Sequence, residues 1–562
     1  SIGGEGPEFT LVAGMPVVFN EDQDHTGISD ENGIYNIPLS SDLEGALYTL
    51  RLDDNINILQ EDVYLPSYTI PTFFYGGIDN QDVMVLSSTQ LADLGVSLTS
   101  GKGALIVITS SENDMITGAT AVVRNMNSSS VGTVKYLAFD SESTYGLTLK
   151  DSPVDDNVEE GGTFGFVAYN IDPGVVMVSA TKTGYSFLWR PAFIYADSIT
   201  TGVSRYDDII GWQGSYVIEE ATGYLVDETG SPVSGATITI CGMNKSATTQ
   251  EDGSFTFTNI PYPAFVIVRA RKTGYKDTYT YALISEGEEP QSLNLCMLQL
   301  DDEDDDEENP TFMIISSACA ERFGIDFTNG GVITGRINDN DGNPVKNAKV
   351  YVWDEYGDTP ALLARYVDCM METIDDELER TSDSGIFVLD TVEEVASQGI
   401  STTGPVYFKF EHEDTSGNTY YFSPHYIAPI FNNSITLFPD MEMDEYIGRV
   451  DVSGQPETLL VEPGAAGVDL FYMKLELPEE YISQLQSSSY LKSFTLKCEG
   501  TTLPTQVAVY IKAGEDWESV SCVVNMGNNE MLFNITEEIT LPVEILVQGN
   551  FAVGNSGSLN LS

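Results

Sequence analysis

The chain has 562 residues, with 25 Lys and Arg against 86 Asp and Glu, and a net charge of −61 at neutral pH. A surface of that sign repels nucleic acid and anionic membranes and argues against both as partners. No apolar run reaches the roughly 20 residues that a bilayer-spanning helix needs, and three histidines leave little material for triads or His-rich metal sites.

Taken in order, the chain opens SIGGEGPEF, without an initiator Met, a basic segment or an apolar segment. That start reads as a mature protein after signal-peptide removal. Residues 1–102 form a degenerate β unit, with VAGMPVVF at 12–19 and TGISDENGIYNIP at 26–38, followed by a Pro- and aromatic-rich connecting segment. Within it, STQLADLG at 88–95 predicts a short helix stopped by Gly95. Residues 103–215 make a second unit, carrying ITGATAVV at 116–123 and GTFGFVAYNIDPGVVMVSATKTGYSF at 162–187. The clearest unit lies at 216–300. From Gly223 it reads GYLVDETGSPVSGATITIC, then EDGSFTFTNI and FVIVRARKTGYKD. Alternating apolar and polar residues with β-branched enrichment predict half-buried strands, punctuated by Gly, Pro, Asp and Asn.

The signature KTGY occurs at 182–185 and again at 272–275. Its repetition predicts one structural corner used twice: the lysine ends a strand, the glycine turns, and the tyrosine packs back. DDEDDDEE at 301–308 is self-repelling and predicts an extended linker over 301–312. Residues 313–444 contain GRINDNDGNPVKNAKVYVW at 335–353 and TSDSGIFVLD at 381–390. Between these, PALLARYVDCMMETIDDELER at 360–380 predicts a helical insertion. Residues 445–562 have strand patterns such as LFYMKLEL and QVAVYIKAG without the repeated signature, and predict a different, terminal sandwich. The expected fold is all-β: serial antiparallel β-sandwiches, spaced too widely for a solenoid and therefore separate beads, with a distinct C-terminal β-sandwich.

The order G-x-(V/I/L)-x-(D/N)-x-x-G-x-P-V-x-(G/N)-A, then T-x-x-(D/S)-G-x-F, then K-T-G-Y resembles the carboxypeptidase regulatory-like domain. That family is a transthyretin-like, Ig-like sandwich related to the collagen-adhesin B-type modules of surface proteins. The resemblance is strongest over 223–298, weaker over 103–190 and 335–440, and faint over 1–55. It implies a structural or interaction module without a catalytic site of its own. It also places Lys349 where such modules often carry the lysine of an intramolecular isopeptide bond, with an ordinary stem-buried, ion-paired lysine as the alternative. In residues 1–55 the usual opening strand is missing before Val12. Either another segment of the chain covers that edge or a second copy completes it by β-augmentation.

Chemistry-bearing patterns are sparse. There is no GxSxG elbow, HExxH helix or P-loop. The six cysteines, Cys241, Cys296, Cys319, Cys369, Cys498 and Cys522, form no CxxC pair. They are disulfide candidates whose simplest assignment pairs them in sequence order, against buried free thiols as the alternative. NEDQDHTGISDENG and NDNDGNP concentrate oxygen ligands, so calcium is the one metal weighed, through Asp22, Asp24, Asp30, Asp339 and Asp341. Asx-rich hairpin turns explain the same residues equally well. Trp212, in a Gly-bounded loop, and Trp517 are the candidate stacking residues for a carbohydrate.

These readings converge on a non-enzymatic, exported structural protein at the cell surface or outside the cell, without a required cofactor. It would be a stalk or filament subunit that associates with itself or with other surface proteins, assembling by β-strand complementation. The alternative is a glycan-binding adhesin or surface lipoprotein acting through its C-terminal domain.

Overall fold

The computed structural model describes residues 12–37, 47–52, 64–73, 83–111, 114–143, 146–204, 208–284, 298–300, 311–322, 327, 330–338, 344–353, 362–368, 373–375, 378–391, 404–413, 419–421 and 426–442. Beyond these it describes the backbone strands between 449 and 561. The chain is nearly all β and divides into two compact units. The first holds Ser1–Ile37, Leu43–His412 and Ser423–Asp444, and the second holds Pro38–Asp42, Glu413–Phe422 and Glu445–Ser562.

In the first unit the sandwiches are not separate beads. Strand Pro16–Phe19 pairs with Asp22–Ile28 on one side and Leu50–Leu52 on the other. Leu50–Leu52 pairs with Ser67–Thr69, so an internal segment supplies that strand of module one. Ser67–Thr69 then lies parallel to Ile199–Gly202, which lies parallel to Gly103–Ser110 of module two. From there the sheet runs on through Thr163–Ile171, Thr133–Phe139 and Leu147–Lys150. One hydrogen-bonded sheet therefore crosses the boundary between modules one and two.

The apolar run of Gly103–Ser110 reflects burial on both faces. Leu105 and Val107 pack with Val123, Phe166, Val178 and Ile194 between the two sheets of module two. Ile106 points the other way, against Leu91, Val96, Leu137 and Phe164. Leu91 comes from the predicted helix, observed as Ser88–Asp93. Ser87 and Gln90 close it with a capping box, and Leu94 and the left-handed Gly95 end it.

The same strand ends in a buried polar group. Ser110 donates to Asp208, Arg190 donates to the Asp208 carbonyl at 3.2 Å and to the Pro71 carbonyl at 2.7 Å, and Asp208 Oδ1 has no hydrogen-bond partner. Burial pushes the Asp208 carboxyl up to about 6. A carboxyl raised in the folded state contributes stability that is present below its unfolded value and lost as pH rises through the folded value. Asp208→Asn is expected to be more stable than the parent above pH 6, by about 3 kcal/mol from a two-unit shift, with the advantage vanishing towards pH 4. Thermal melts of both proteins across that range check it; parallel melting curves at every pH would refute the assignment.

Modules three and four are also fused. In module three, Val217–Asp227 pairs with Ser254–Pro261, facing a second sheet of Lys245–Thr248, Thr237–Ile240, Ala264–Arg271 and Asp277–Ile284. Asp277–Ile284 then lies parallel to Ser434–Glu442, in the register Asp277 to Ser434. That strand leads through Val332–Asn338 and Ile386–Thr391 of module four. The opposing sheet of module four includes Ala348–Trp353, Gly404–Glu413 and Tyr426–Ile430.

The sheets correct two expectations. The stretch predicted as a helical insertion contains the strands Leu362–Asp368 and Thr373–Asp375, and the first pairs with Ile386–Thr391. Sheet pairing overrides helix propensity because Tyr366, at 2% exposure, reaches across to accept from the Val350 amide at 3.0 Å. The acidic run expected as an inter-domain linker joins Leu298–Leu300, paired with Asp277–Ile284, to Thr311–Ile314, paired with Val217–Asp227. It connects the two sheets of module three; residues 301–310 themselves lie outside the described residues.

Side chains complete the joints. Arg124 donates to the Gly242 carbonyl at 2.7 Å and Arg269 to Asn127 Oδ1 at 2.8 Å between modules two and three. The Tyr407 hydroxyl of module four lies 2.9 Å from that of Tyr195 in module two and 3.1 Å from Thr49 Oγ1 in module one. Tyr195 stacks on Tyr68 with centroids 3.7 Å apart, and Tyr281 donates to the Ile427 carbonyl. Burial, then the neighbouring tyrosines, hold the Tyr195 hydroxyl well above its ordinary range.

The second unit carries two five-stranded sheets among its described strands. One is centred on Val543–Asn550, between Val468–Glu476 and Gln506–Ala513. The other is centred on Tyr490–Gly500, between Glu530–Thr540 and Gly557–Leu561.

Candidate functional site

The two KTGY corners are built as the repeat predicts. Strands Gly174–Thr181 and Ala264–Arg271 end one residue before Lys182 and Lys272. Gly184 and Gly274 turn with φ of 83° and 90°, a region that side-chain-bearing residues rarely enter. The Tyr185 and Tyr275 amides donate back to the Lys182 and Lys272 carbonyls, each at 3.1 Å, and each ammonium sits over its tyrosine ring, at 5.4 and 5.3 Å.

The surroundings of the two corners differ. In module three the Ser317 amide caps the Gly274 carbonyl at 2.9 Å, Lys276 donates to the Ile315 carbonyl, and Tyr275 bridges to Ser316. The segment that leads into the helix Ser317–Arg322 thereby covers that corner. In module two Gly214 caps Gly184 in the same way, at 2.9 Å. The chain then turns out through Tyr216, whose amide donates to Ser186 Oγ at 2.8 Å, and Tyr216 and Val217 are each left 37% exposed.

The result is an open cleft of about 640 Å³ between modules two and three. Half-buried Tyr185, exposed Tyr216 and the buried Phe187 and Trp189 are its aromatic lining. Its polar groups are Thr120, Thr181, Thr183 and Asp155. Lys182 donates to Asp155 Oδ1 at 2.8 Å and to the Thr117 carbonyl at 2.7 Å, and the first of these bonds draws the Asp155 carboxyl below its usual range. Arg124 covers one face of Trp189 at 5.9 Å.

The residues singled out in the sequence fall elsewhere. Trp212 is half-buried on the strand Ile209–Gln213, opposite Ser186, not in a loop, and does not line the cleft. Trp517 lies on Asp516–Val520, where its side chain is not described. Asp30 accepts from the Asn32 and Ile34 amides at 2.8 and 2.9 Å, and these bonds hold its carboxyl below the usual range. This is the geometry of an Asx turn. The Asp22 and Asp24 side chains on Asp22–Ile28 are not described, and Asp339 and Asp341 lie outside the described residues. Among the described residues no group of three or more His, Cys, Asp or Glu side chains converges on one point. Lys349 sits opposite Glu411 with its ammonium 4.7 Å from the Tyr351 ring centre.

Cys241 is a free, fully buried thiol, pushed up to about 12 by burial. The expected Cys241–Cys296 bridge is thus not made in this structure, and Cys241 packs as a small core residue. Cys319 is buried on Ser317–Arg322, its sulfur accepting from Arg322 at 3.7 Å. Cys296 and Cys369 lie outside the described residues, and Cys498 and Cys522 lie on strands without described side chains.

Residues 221–297, within module three, match the carboxypeptidase regulatory-like domain family. No curated protein matches the chain. Among solved structures, a streptococcal ancillary pilin is 12% identical over 50% of this chain and 81% of its own, with a TM-score of 0.14. The TIE protein of Bacillus anthracis is 13% identical over 78% of this chain and 67% of its own, with a TM-score of 0.13. BcpA, the major pilin subunit of Bacillus cereus, is 12% identical over 61% of this chain and 99% of its own, also with a TM-score of 0.13.

Proposed function

We propose that the chain is an exported, non-enzymatic structural protein of a cell surface, a stalk or filament subunit. The observation that carries this reading is the continuity of the first unit. Parallel strand pairs at 67–69 with 199–201 and at 277–279 with 434–436 give modules one and two, and modules three and four, one shared wide sheet each, and the Tyr195–Tyr407–Thr49 hydroxyls tie the two sheets' modules together. Such joints pass tension through backbone hydrogen bonds rather than through flexible linkers. The heavily acidic composition suits a protein that stays soluble outside the cell. Subunit addition is assigned to Asp22–Ile28, the module-one end strand of its sheet, where Ile28 in the strand and Ile34 after it are 66% and 65% exposed.

When the full chain is stretched from its termini in a single-molecule experiment, modules one to four are expected to yield together. Roughly 430 residues would be released in one event of about 140–155 nm. Four separate steps of module length would remove the basis for this reading. Negative-stain microscopy of native material tests assembly: ordered fibres are expected, and a monomer with no fibres would exclude the filament role.

A further inference from the structure

We propose that the cleft between modules two and three binds a short, neutral oligosaccharide. The site is distinct from the outer strand assigned to assembly, and the inference stands apart from the structural role. Its composition is what a sugar requires. Apolar C–H faces of a pyranose pack on aromatic rings, and Tyr185, Phe187, Trp189 and Tyr216 all line the cleft. Sugar hydroxyls need donors and acceptors in the same space. The Thr120, Thr181 and Thr183 hydroxyls and Asp155 Oδ2 line the cleft without a hydrogen-bond partner among the described residues. The volume of about 640 Å³ lies within the range of small-molecule sites.

Charge selects among glycans. Among the described residues lining the cleft the one cation, Lys182, is committed to Asp155, the Thr117 carbonyl and the Tyr185 ring. A sialylated or phosphorylated glycan would meet the Asp155 carboxylate and the field of a molecule of net charge −61.

The test is isothermal titration of the full chain with maltohexaose, cellohexaose, mannohexaose and sialyllactose. At least one neutral hexasaccharide is expected to bind, and sialyllactose is not. Tyr216→Ala, an exposed change, and Thr183→Val are expected to weaken that binding, the first by about tenfold or more, with melting temperatures unchanged. Trp212→Ala is expected to bind as the parent does. Failure of all three neutral sugars at ~10 mM, preference for the sialylated probe, or undiminished binding by Tyr216→Ala would each overturn the proposal. Undiminished strength of the four-module unit in the same variants keeps the two readings separable.

Discussion

Truncation of Tyr407 to alanine is expected to lower the unfolding free energy of the first unit by about 3–5 kcal/mol, the usual cost of removing a large buried aromatic side chain. Tyr407 is fully buried, and its hydroxyl joins Thr49 of module one to Tyr195 of module two. Tyr407→Phe keeps the ring and removes that link. It leaves two buried hydroxyls with one partner fewer, at about 1–3 kcal/mol. Urea unfolding monitored by tyrosine fluorescence measures both. If modules one, two and four fold as one body, either variant shifts a single transition to lower urea. A split into separate transitions in the parent, or no shift in the alanine variant, would contradict the shared core.

The second large effect is at Gly253. Valine there is expected to cost about 2–5 kcal/mol, combining left-handed backbone strain with a steric clash. Its φ is 83°, and a Cβ would lie 2.5 Å from the Leu225 carbonyl oxygen and 3.2 Å from Pro232 Cβ. The close approach is functional for the fold, since the Leu225 amide donates to the Gly253 carbonyl at 2.9 Å. Gly230→Ala provides the control: φ is 75° but the space is open, so only the strain of about 1–2 kcal/mol applies. Equal melting temperatures for Gly253→Val and Gly230→Ala would show that the contact with Leu225 and Pro232 does not matter.

Gly253 also shows why part of this fold was legible in the sequence. In module four Gly385 has φ of 65°, with a Cβ position 2.6 Å from the Ile337 carbonyl oxygen and 3.1 Å from Pro344 Cβ. The repeated G-x-P and (D/S)-G-x-F elements are thus two halves of one contact, and that is why they travel together. The KTGY corner and the capped helix Ser88–Asp93 are legible for a related reason: each is specified within a few residues by turn and cap chemistry. The segment at 360–380 misled because its helical composition is local, whereas its pairing with Ile386–Thr391 is not.

The candidate site was legible only in fragments. Tyr185 and Lys182 stood out as a repeated motif, but their neighbours Thr120, Asp155 and Tyr216 carry no motif, and Trp212, the more conspicuous aromatic, lies outside the cleft. A cleft drawn from strands and turns so far apart in the chain has no signal in any single stretch.

By itself, then, the sequence determined the all-β class, the repeated sandwich, the corners and the acidic character, because alternation, turn residues and charge act locally. Only the tertiary structure decided that the modules merge into common sheets and that the chain leaving the module-two corner brings Tyr216 to the edge of a cleft. Both depend on which edge meets which edge: Ser67 with Ile199, Asp277 with Ser434, and Gly214 with Gly184 just before the chain turns out to Tyr216. Strand edges present the same backbone groups whatever their side chains, so partner choice is settled by the packing of the whole unit.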